Sequence, residues 1–177
     1  MNTIKLLYLV SNLGCSGPTN QLYNLIYHLD PDRFKTTLVT LSPEPSLSSW
    51  NKFRDLRLKI HSLGLSRVSG VMLNKVYLHR LLNTLRPDII HSQGIRSDYL
   101  NSQLKNYPSR VATQRNNPLI DYPLLYGKLS GQLMAKFHLK LLKRIPQVIT
   151  CSQSISEANH HLGLKSTFIS NGIRYTP

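Results

Sequence analysis

Short apolar runs alternate with longer amphipathic stretches along the whole chain. The first run, Ile4–Val10, is typical of a buried strand, and the polar turn at residues 11–14 ends it. Pro18 suits the first turn of the helix that follows. Four apolar residues of that helix recur at helical spacing: Leu22, Leu25, Ile26 and Leu29. The beginning of the chain therefore predicts one strand followed by one helix.

The same alternation continues to the end of the chain. Further strands are predicted at residues 36–41, 58–63, 89–92, 110–114, 147–151 and 167–170. Helices are predicted at residues 50–56, 71–85, 95–104 and 123–144. Ser154 and Glu157 fit a capping box that begins a last helix, which Gly163 ends. Strands and helices at this spacing predict an α/β fold, with one Rossmann-like domain built on a doubly wound parallel sheet.

Ligands bind such a sheet at the carboxyl ends of its strands, which directs attention to four loops. These loops span residues 12–20, 91–98, 114–121 and 151–156. The first contains Gly14-Cys15-Ser16-Gly17, which lacks the G-x-G-x-x-G spacing, and no acidic residue ends the second strand to hold a ribose. A dinucleotide-binding dehydrogenase is therefore disfavoured. The absence of a Walker A lysine excludes a P-loop kinase.

The charge and the cysteine content limit which binding partners and which cellular compartment we expect. The 177 residues include 22 Lys and Arg against 8 Asp and Glu, for a formal net charge of +14. The expected partners are anionic: nucleic acid, phosphorylated small molecules or a membrane surface. The two cysteines are far apart and support neither a disulfide scaffold nor a zinc site. Without a membrane span or signal peptide in the sequence, we expect a cytoplasmic protein.

Four segments resemble, in order, the motifs of GT-B glycosyltransferases of family 4, the group 1 transferases. The loop at residues 11–18 and the helix start at Asn20 resemble the family's first strand-to-helix turn. PDIIHSQG at residues 87–94 resembles its PDIIHxHG strand end, and VITCSQS at residues 148–154 resembles another strand and turn. ISNGI at residues 169–173 resembles the segment that closes the amino-terminal domain.

The resemblance implies that residues 1–177 are the amino-terminal, acceptor-side half of a two-domain enzyme, with the carboxy-terminal donor domain absent. The donor domain of the family binds most of the nucleotide sugar and carries an E-x7-E pair. This chain has only two glutamates, Glu44 and Glu157, and no such pair. We therefore expect no sugar transfer by this half alone. We expect no metal and no cofactor, and a nucleotide-diphosphate sugar as the donor substrate.

The resemblance also marks a donor-phosphate loop. Gly14, Cys15, Ser16 and Gly17 are expected to bring the backbone close to the donor's diphosphate. The helix that begins near Pro18 would point its positive end at that group. The alternative is a strand-to-helix turn that needs glycine only for its conformation.

The expected ligand-edge residues are Asn20, His91, Arg115, Asn116 and Ser152. Many family members have a histidine near the position of Arg115, and arginine binds phosphate or carboxylate through two N–H groups but is no general base. The alternative for His91 is a core imidazole that is hydrogen-bonded to a neighbouring strand, and for Ser152 it is a helix cap.

Other polar residues near these loops are weaker candidates for a catalytic role. Asp98 and Asp121 are the carboxylates near the ligand edge, with helix-capping or solvated roles favoured over catalysis. Cys15 lacks partners for a catalytic triad.

The basic stretch at residues 128–144 has two interpretations. Apolar residues recur every fourth position: Leu125, Leu129, Leu133, Phe137 and Leu141. The basic residues lie largely to one side of them: Lys136, Lys140, Lys143 and Arg144. They form either a solvated helix face or a membrane-facing surface attracted to anionic lipid. Family members that extend lipid-linked glycans often meet the membrane through this domain.

The leading hypothesis is the acceptor-binding domain of a retaining glycosyltransferase. The enzyme would move a sugar from a nucleotide-diphosphate donor to a glycan or lipid-linked acceptor in surface polysaccharide synthesis, in the cytoplasm or peripherally at the inner face of the cell membrane. One alternative is a basic nucleic-acid-binding domain, which is disfavoured because several aromatic residues sit at core spacing. The other is half of a GT-B-fold sugar-nucleotide epimerase.

Overall fold

The computed structural model describes residues 3–66, 70–107 and 109–172, with the backbone alone at residues 70–74. Strands and helices alternate through this part of the chain. The strands are β1 (Ile4–Val10), β2 (Phe34–Thr40), β3 (Lys59–Ser62), β4 (Ile89–Gln93), β5 (Arg110–Gln114), β6 (Gln147–Thr150) and β7 (Thr167–Phe168). The helices are α1 (Gly17–Tyr27), α2 (Trp50–Asp55), α3 (Gly70–Leu85), α4 (Ile95–Gln103), α5 (Pro118–Tyr126), α6 (Lys128–Leu142) and α7 (Gln153–His161).

The chain divides into two compact units, residues 1–90 with 171–177 and residues 91–170. In the first unit, β2 pairs in parallel with both β1 and β3, and Ile4 lies opposite Phe34. Five consecutive residues of β1 are buried, as expected for a strand covered on both faces. Its core joins residues of β1, β2, α1, α2 and the loop after β1: Leu6, Tyr8, Val10, Leu13, Leu22, Ile26, Leu38 and Phe53.

The second unit repeats the arrangement. In this unit β6 pairs in parallel with β5 and β7, and Val111 lies opposite Gln147. Its core contains Ala112, Leu139, Leu142, Ile145, Val148 and Leu164. The paired strands are parallel in both units, and helices follow strands as in βαβ units. The predicted α/β, Rossmann-like fold is confirmed.

The prediction of one helix at residues 123–144 is wrong. Two helices, α5 and α6, occupy this region, and Gly127 separates them with a φ of +84°. That backbone conformation suits glycine and breaks a right-handed helix. Asn117 caps α5 by accepting a hydrogen bond from the N–H of Leu119, so α5 begins at Pro118, before the predicted start. The Pro123 that was predicted to begin the helix lies inside α5.

Two smaller predictions also need correction. The capping residue of α7 is Ser152, whose hydroxyl accepts from the N–H of Ile155, and not Ser154. On α1 and α3 the predicted apolar faces include Leu25 and Val76, which are 43% and 50% exposed. The buried faces are narrower than the sequence pattern, because a helix that packs on one side of a sheet covers only one stripe. The side chain of Val71, also assigned to the α3 face, lies outside the described residues.

None of the helices in the described ranges is both long and apolar enough to span a bilayer.

Candidate functional site

The backbone of the glycine loop between β1 and α1 is hydrogen-bonded to other residues of the protein. The N–H of Gly14 donates to Asn12 Oδ1 at 3.1 Å, and the N–H of Cys15 donates to the carbonyl of Leu47 at 3.2 Å. The hydroxyl of Thr19 donates to the carbonyl of Gly14 at 2.7 Å. These N–H groups are therefore committed to the fold in this structure and do not point free at a ligand.

A carboxylate that the sequence analysis did not select lies against this loop. Glu44 Oε2 accepts from the N–H of Leu13 at 2.9 Å and from the hydroxyl of Ser48 at 2.6 Å. Its second oxygen, Oε1, is buried and has no partner in the described part of the chain. Glu44 sits in a Pro- and Ser-rich stretch without periodicity, so the sequence carries no signal that places it here.

The positive end of α1 follows this loop. Ser16 is its N-cap and accepts from the N–H of Thr19 at 3.3 Å. Gly17 is exposed, with open space where a side chain would stand, and Asn20 is exposed in the first turn. Cys15 is exposed, with its thiol 3.7 Å from the hydroxyl of Ser49. The geometry leaves the N–H groups of Ser16 and Gly17 as the donors at this helix end.

In the second unit, His91 lies buried near the end of β4. Its Nε2 is 2.7 Å from the hydroxyl of Thr113 on β5. Burial and, to a smaller extent, the nearby positive charge of Arg115 together lower the pKa of His91 to about 4. His91 is therefore neutral near pH 7, and the structure shows the core imidazole that is hydrogen-bonded to a neighbouring strand.

Arg115 follows β5 and contacts Gln93, the last residue of β4. Its Nε and Nη2 both donate to Gln93 Oε1, at 3.3 Å each. Gln93 is 8% exposed, while Arg115 is half-buried. The sequence analysis selected Arg115 and not Gln93, because a glutamine at the end of a strand has no pattern that distinguishes it.

Hydrogen bonds to its backbone carbonyls hold the loop that begins at Arg115. Gln114 Nε2 donates to the carbonyl of Asn116 at 3.1 Å, while its Oε1 accepts from Asn159 Nδ2 at 2.8 Å. The thiol of Cys151 donates to the carbonyl of Arg115 at 3.3 Å. The hydroxyl of the adjacent Ser152 caps α7. Hydrogen bonds within the fold therefore hold this loop in a defined conformation.

A chain of buried hydrogen bonds lies behind this loop. Asp98 Oδ1 accepts from the hydroxyl of Ser92 at 2.6 Å, and its Oδ2 is 2.8 Å from His138 Nε2. His138 Nδ1 is 2.7 Å from the hydroxyl of Tyr122. Burial and the charge of Asp98 raise the pKa of Tyr122. The expected capping or solvated role of Asp98 is wrong, since its side chain is fully buried.

The sequence analysis missed His138 and Tyr122 because the long predicted helix placed no boundary at Gly127. With α5 and α6 separated, both residues fall on the faces that these helices bury against each other. Gly131 permits this close approach, because a Cβ there would lie 2.4 Å from backbone atoms of Tyr122 and Pro123.

The outer sides of α5 and α6 carry an exposed apolar surface, which we call the α5–α6 face. Its residues are Leu119, Ile120, Leu124, Leu125, Tyr126, Leu129, Leu133 and Phe137. They are half of the sixteen large exposed hydrophobic residues in the described part of the chain. Leu125, Leu129 and Leu133 are between 63% and 76% exposed, so most of the predicted stripe does not pack in the core.

The predicted stripe does not stay on one side of the helix. Each residue of an α-helix turns by about 100°, so positions four apart drift by about 40°. From Leu129 to Leu141 the drift reaches about 120°, and Leu141 is buried.

The four basic residues near this face differ in their contacts. Lys136 and Lys140 are exposed on the same side of α6 as Leu133. Lys143 Nζ donates to the carbonyl of Leu162 at the end of α7, at 2.7 Å. Arg144 is exposed, and its carbonyl accepts from a buried arginine, Arg110. The structure thus gives Lys143 a capping contact within the fold.

Each unit brings together part of the predicted site. The first holds Gly14, Cys15, Ser16, Gly17 and Asn20 around the start of α1. The second holds Arg115, Asn116 and Ser152 just after β5 and β6, and His91 inside β4. Both groups follow the carboxyl ends of parallel strands, where the fold places ligands.

Comparison with known proteins agrees with this geometry. The model of the family described as Glycosyltransferase Family 4 matches residues 16–176. No curated protein sequence matches the chain. Among solved structures, HepE of Anabaena in complex with UDP is 13% identical with a TM-score of 0.71, and the match covers 96% of this chain and 44% of HepE.

Two further structures are similar. Sucrose-phosphate synthase of Thermosynechococcus elongatus is 12% identical with a TM-score of 0.70, and the match covers 96% of this chain and 49% of that protein. UDP-N-acetylglucosamine 2-epimerase of Rickettsia bellii is 12% identical with a TM-score of 0.64, covering 96% and 45% of the two chains. The chain therefore spans a little under half of each of these structures.

Proposed function

Because the chain belongs to glycosyltransferase family 4 and has the fold of an amino-terminal GT-B domain, we propose that it is the acceptor-binding part of a retaining glycosyltransferase. The enzyme moves a sugar from a nucleotide-diphosphate donor to a glycan or lipid-linked acceptor in surface polysaccharide synthesis. The observation that carries the proposal is the polar group at the ends of β4 and β5, where Arg115 and Asn116 are partly exposed, in a chain with this family match.

The donor in this proposal is a nucleotide sugar. HepE, whose fold is similar, has been solved with UDP and with UDP-glucose. The free N–H groups of Ser16 and Gly17, at the positive end of α1, approach the donor's diphosphate. A second, carboxy-terminal domain holds most of the nucleotide and supplies the carboxylates that this chain lacks. Neither metal nor cofactor takes part.

Arg115 and Asn116 serve the acceptor, and the neutral His91 has a structural role. An arginine remains protonated and cannot take a proton from an acceptor hydroxyl, so Arg115 binds and orients. His91 holds the ends of β4 and β5 together through Thr113. We assign no catalytic acid or base to this chain.

Sugar transfer by the intact enzyme tests the proposal. The domain joined to its native downstream sequence is incubated with UDP- and GDP-sugars, and release of the nucleoside diphosphate is measured with and without acceptor lipids or glycans. Acceptor-dependent release that falls in the Arg115→Gln variant and persists in Arg80→Gln supports it. A folded enzyme that turns over no donor contradicts it.

A sugar-nucleotide epimerase is the second candidate, because the similar structures include UDP-N-acetylglucosamine 2-epimerases. An epimerase would rearrange or hydrolyse its nucleotide sugar without an acceptor. Turnover of UDP-N-acetylglucosamine by the intact enzyme in the absence of any acceptor would favour it over the transferase.

The α5–α6 face supports a peripheral location at the inner surface of the cell membrane. Eight large apolar side chains are exposed there, and Lys128, Lys136 and Lys140 are exposed beside them, with no acidic residue anywhere in α6. An apolar surface with basic residues matches a bilayer rich in anionic phospholipid. We therefore propose an anionic bilayer as the occupant of this face, which would bring a lipid-linked acceptor to the enzyme.

Vesicle sedimentation tests the membrane proposal. The chain is mixed with vesicles of phosphatidylcholine alone and with vesicles that contain phosphatidylglycerol. The double variant Lys136→Gln/Lys140→Gln should weaken binding to the anionic vesicles by about 30-fold, since each basic residue contributes about 1 kcal/mol. Leu129→Gln/Leu133→Gln should weaken binding to both. Leu47→Gln, at a residue 76% exposed in the other unit, is the matched control. Equal binding by all these proteins would refute the membrane assignment.

A further inference from the structure

Gln93 carries a buried polar group that the fold leaves without a partner. Its Nε2 makes no hydrogen bond to any described residue, although the side chain is only 8% exposed. Native proteins rarely bury a donor in this way, because the group loses the hydrogen bonds that water would give it. An unpaired amide of this kind indicates a place where something outside the chain completes the bonding.

Arg115 explains why the amide of Gln93 points this way. Gln93 Oε1 accepts from Nε and Nη2 of Arg115, both at 3.3 Å. If the amide were turned over, its N–H groups would face the donors of the guanidinium. The cation therefore fixes the amide orientation, and the unpaired Nε2 is the result.

The contact with Gln93 gives the guanidinium of Arg115 weaker hydrogen bonds than an anion would. The fork formed by Nε and Nη2 matches two oxygens of a phosphate or carboxylate. Here the two N–H groups share one neutral oxygen, at a distance longer than the usual 2.9–3.0 Å. An anion would make shorter, charge-assisted bonds at the same fork.

The amino terminus of α4 lies immediately beside this pair. Gly94, the residue after Gln93, is the N-cap of this nine-residue helix and makes no side-chain cap. Its φ of +94° is a glycine conformation, it is exposed, and a Cβ at this position would meet open space. The first N–H groups of the helix and the helix dipole favour a negative charge. The carboxylate of Asp98, in the same turn, is bonded inward to Ser92 and His138.

We propose that Arg115, Gln93 and the amino terminus of α4 bind a phosphoryl group of a substrate. The anion takes the fork of Arg115 in place of Gln93 Oε1, and the released amide turns so that Nε2 donates to the anion. This inference rests on the proposed transferase function, in which the phosphoryl group comes either from the donor's diphosphate or from a lipid-linked acceptor. Both sources share the chemistry that the site recognises.

Nuclear magnetic resonance of the 177-residue chain tests this site. The chain is titrated separately with inorganic pyrophosphate, UDP and geranyl phosphate, and ¹H–¹⁵N spectra follow the side-chain amide of Gln93 and the backbone amides of Gly94 and Ile95. We expect these resonances to shift together with one dissociation constant. The probe that binds most tightly identifies the source: geranyl phosphate for the acceptor, and UDP for the donor.

Three variants separate a phosphate site from a structural contact. Arg115→Gln should weaken phosphate binding about tenfold or more, because charge-assisted bonds are lost. Gln93→Glu preserves the shape of the side chain but places a carboxylate in the fork, so we expect it to remain folded and to lose phosphate binding. Arg80→Gln removes the same charge from an exposed position of α3 and should bind as the wild type does.

The outcomes distinguish this inference from the transferase proposal. If no probe shifts the three resonances, or if Gln93→Glu binds as well as the wild type, the phosphoryl site is wrong even when the intact enzyme transfers sugar. If the probes bind in an Arg115-dependent way but the intact enzyme turns over no donor, the site stands and the transferase proposal falls.

Discussion

The buried, neutral His91 should make the stability of the chain depend on acidity. The pKa of His91 is about 4 in the folded chain, chiefly because of burial, against about 6.5 in an unfolded chain. Between these values the unfolded chain binds a proton that the folded chain does not. Folding stability is therefore highest above about pH 6.5 and falls as the pH falls towards 4.

The two pKa values set the size of this effect. From about pH 8 to about pH 4.5, the single site should lower the free energy of unfolding by roughly 2 to 3 kcal/mol. Urea unfolding of the wild type and of His91→Gln at a series of pH values isolates the contribution, since other groups affect both proteins alike. Over this range the free energy of unfolding of the variant should fall by roughly 2 to 3 kcal/mol less than that of the wild type.

A matched control lies at His160, which is exposed on α7. His160→Gln should follow the wild-type curve, because this side chain makes no buried contact of the kind that His91 makes with Thr113. Parallel curves for the wild type and His91→Gln would refute the reasoning, and so would an imidazole of His91 that titrates near 6.5 in the folded chain.

Three further substitutions test the packing and the caps. Gly131→Ala should lower the free energy of unfolding by about 3 kcal/mol, since its Cβ would lie 2.4 Å from the backbone of α5; Gly17→Ala, with open space around it, is the control for urea unfolding. Asp98→Ala should lower the free energy of unfolding by about 3 kcal/mol. In the double variant Asp98→Ala/His138→Ala the decrease should be smaller than the sum of the decreases in the two single variants. Additive decreases would show that the two side chains are not coupled. Ser16→Ala should cost about 1 kcal/mol by removing the α1 cap, and thermal unfolding with no change in stability would contradict that assignment.

Hydrophobic periodicity was sufficient for most of the fold. It predicted β1 and β5 with the observed bounds, because each is a compact apolar or β-branched run between clear polar breaks. It failed at Gly127, since a helical pattern can continue in sequence across a residue whose backbone conformation breaks the helix. The number of helices in this region depends on that one dihedral angle.

The candidate site was less predictable than the fold. Arg115 could be selected from its place after a strand, because the topology puts such residues at the ligand edge. Gln93 and Glu44 could not, since their importance lies in unpaired buried atoms that appear only when distant segments meet. Asp98 was expected near solvent because it occupies a helix start, yet its contact with His138, forty residues away, keeps it inside the fold.

The buried chain from Asp98 to Tyr122 also has a direction. A carboxylate oxygen only accepts, so His138 Nε2 carries a proton and donates it to Asp98. In the neutral imidazole, this tautomer leaves Nδ1 as the acceptor for the hydroxyl of Tyr122. Both hydrogen bonds then point towards Asp98, so one carboxylate on α4 orients a side chain on α6 and, through it, another on α5.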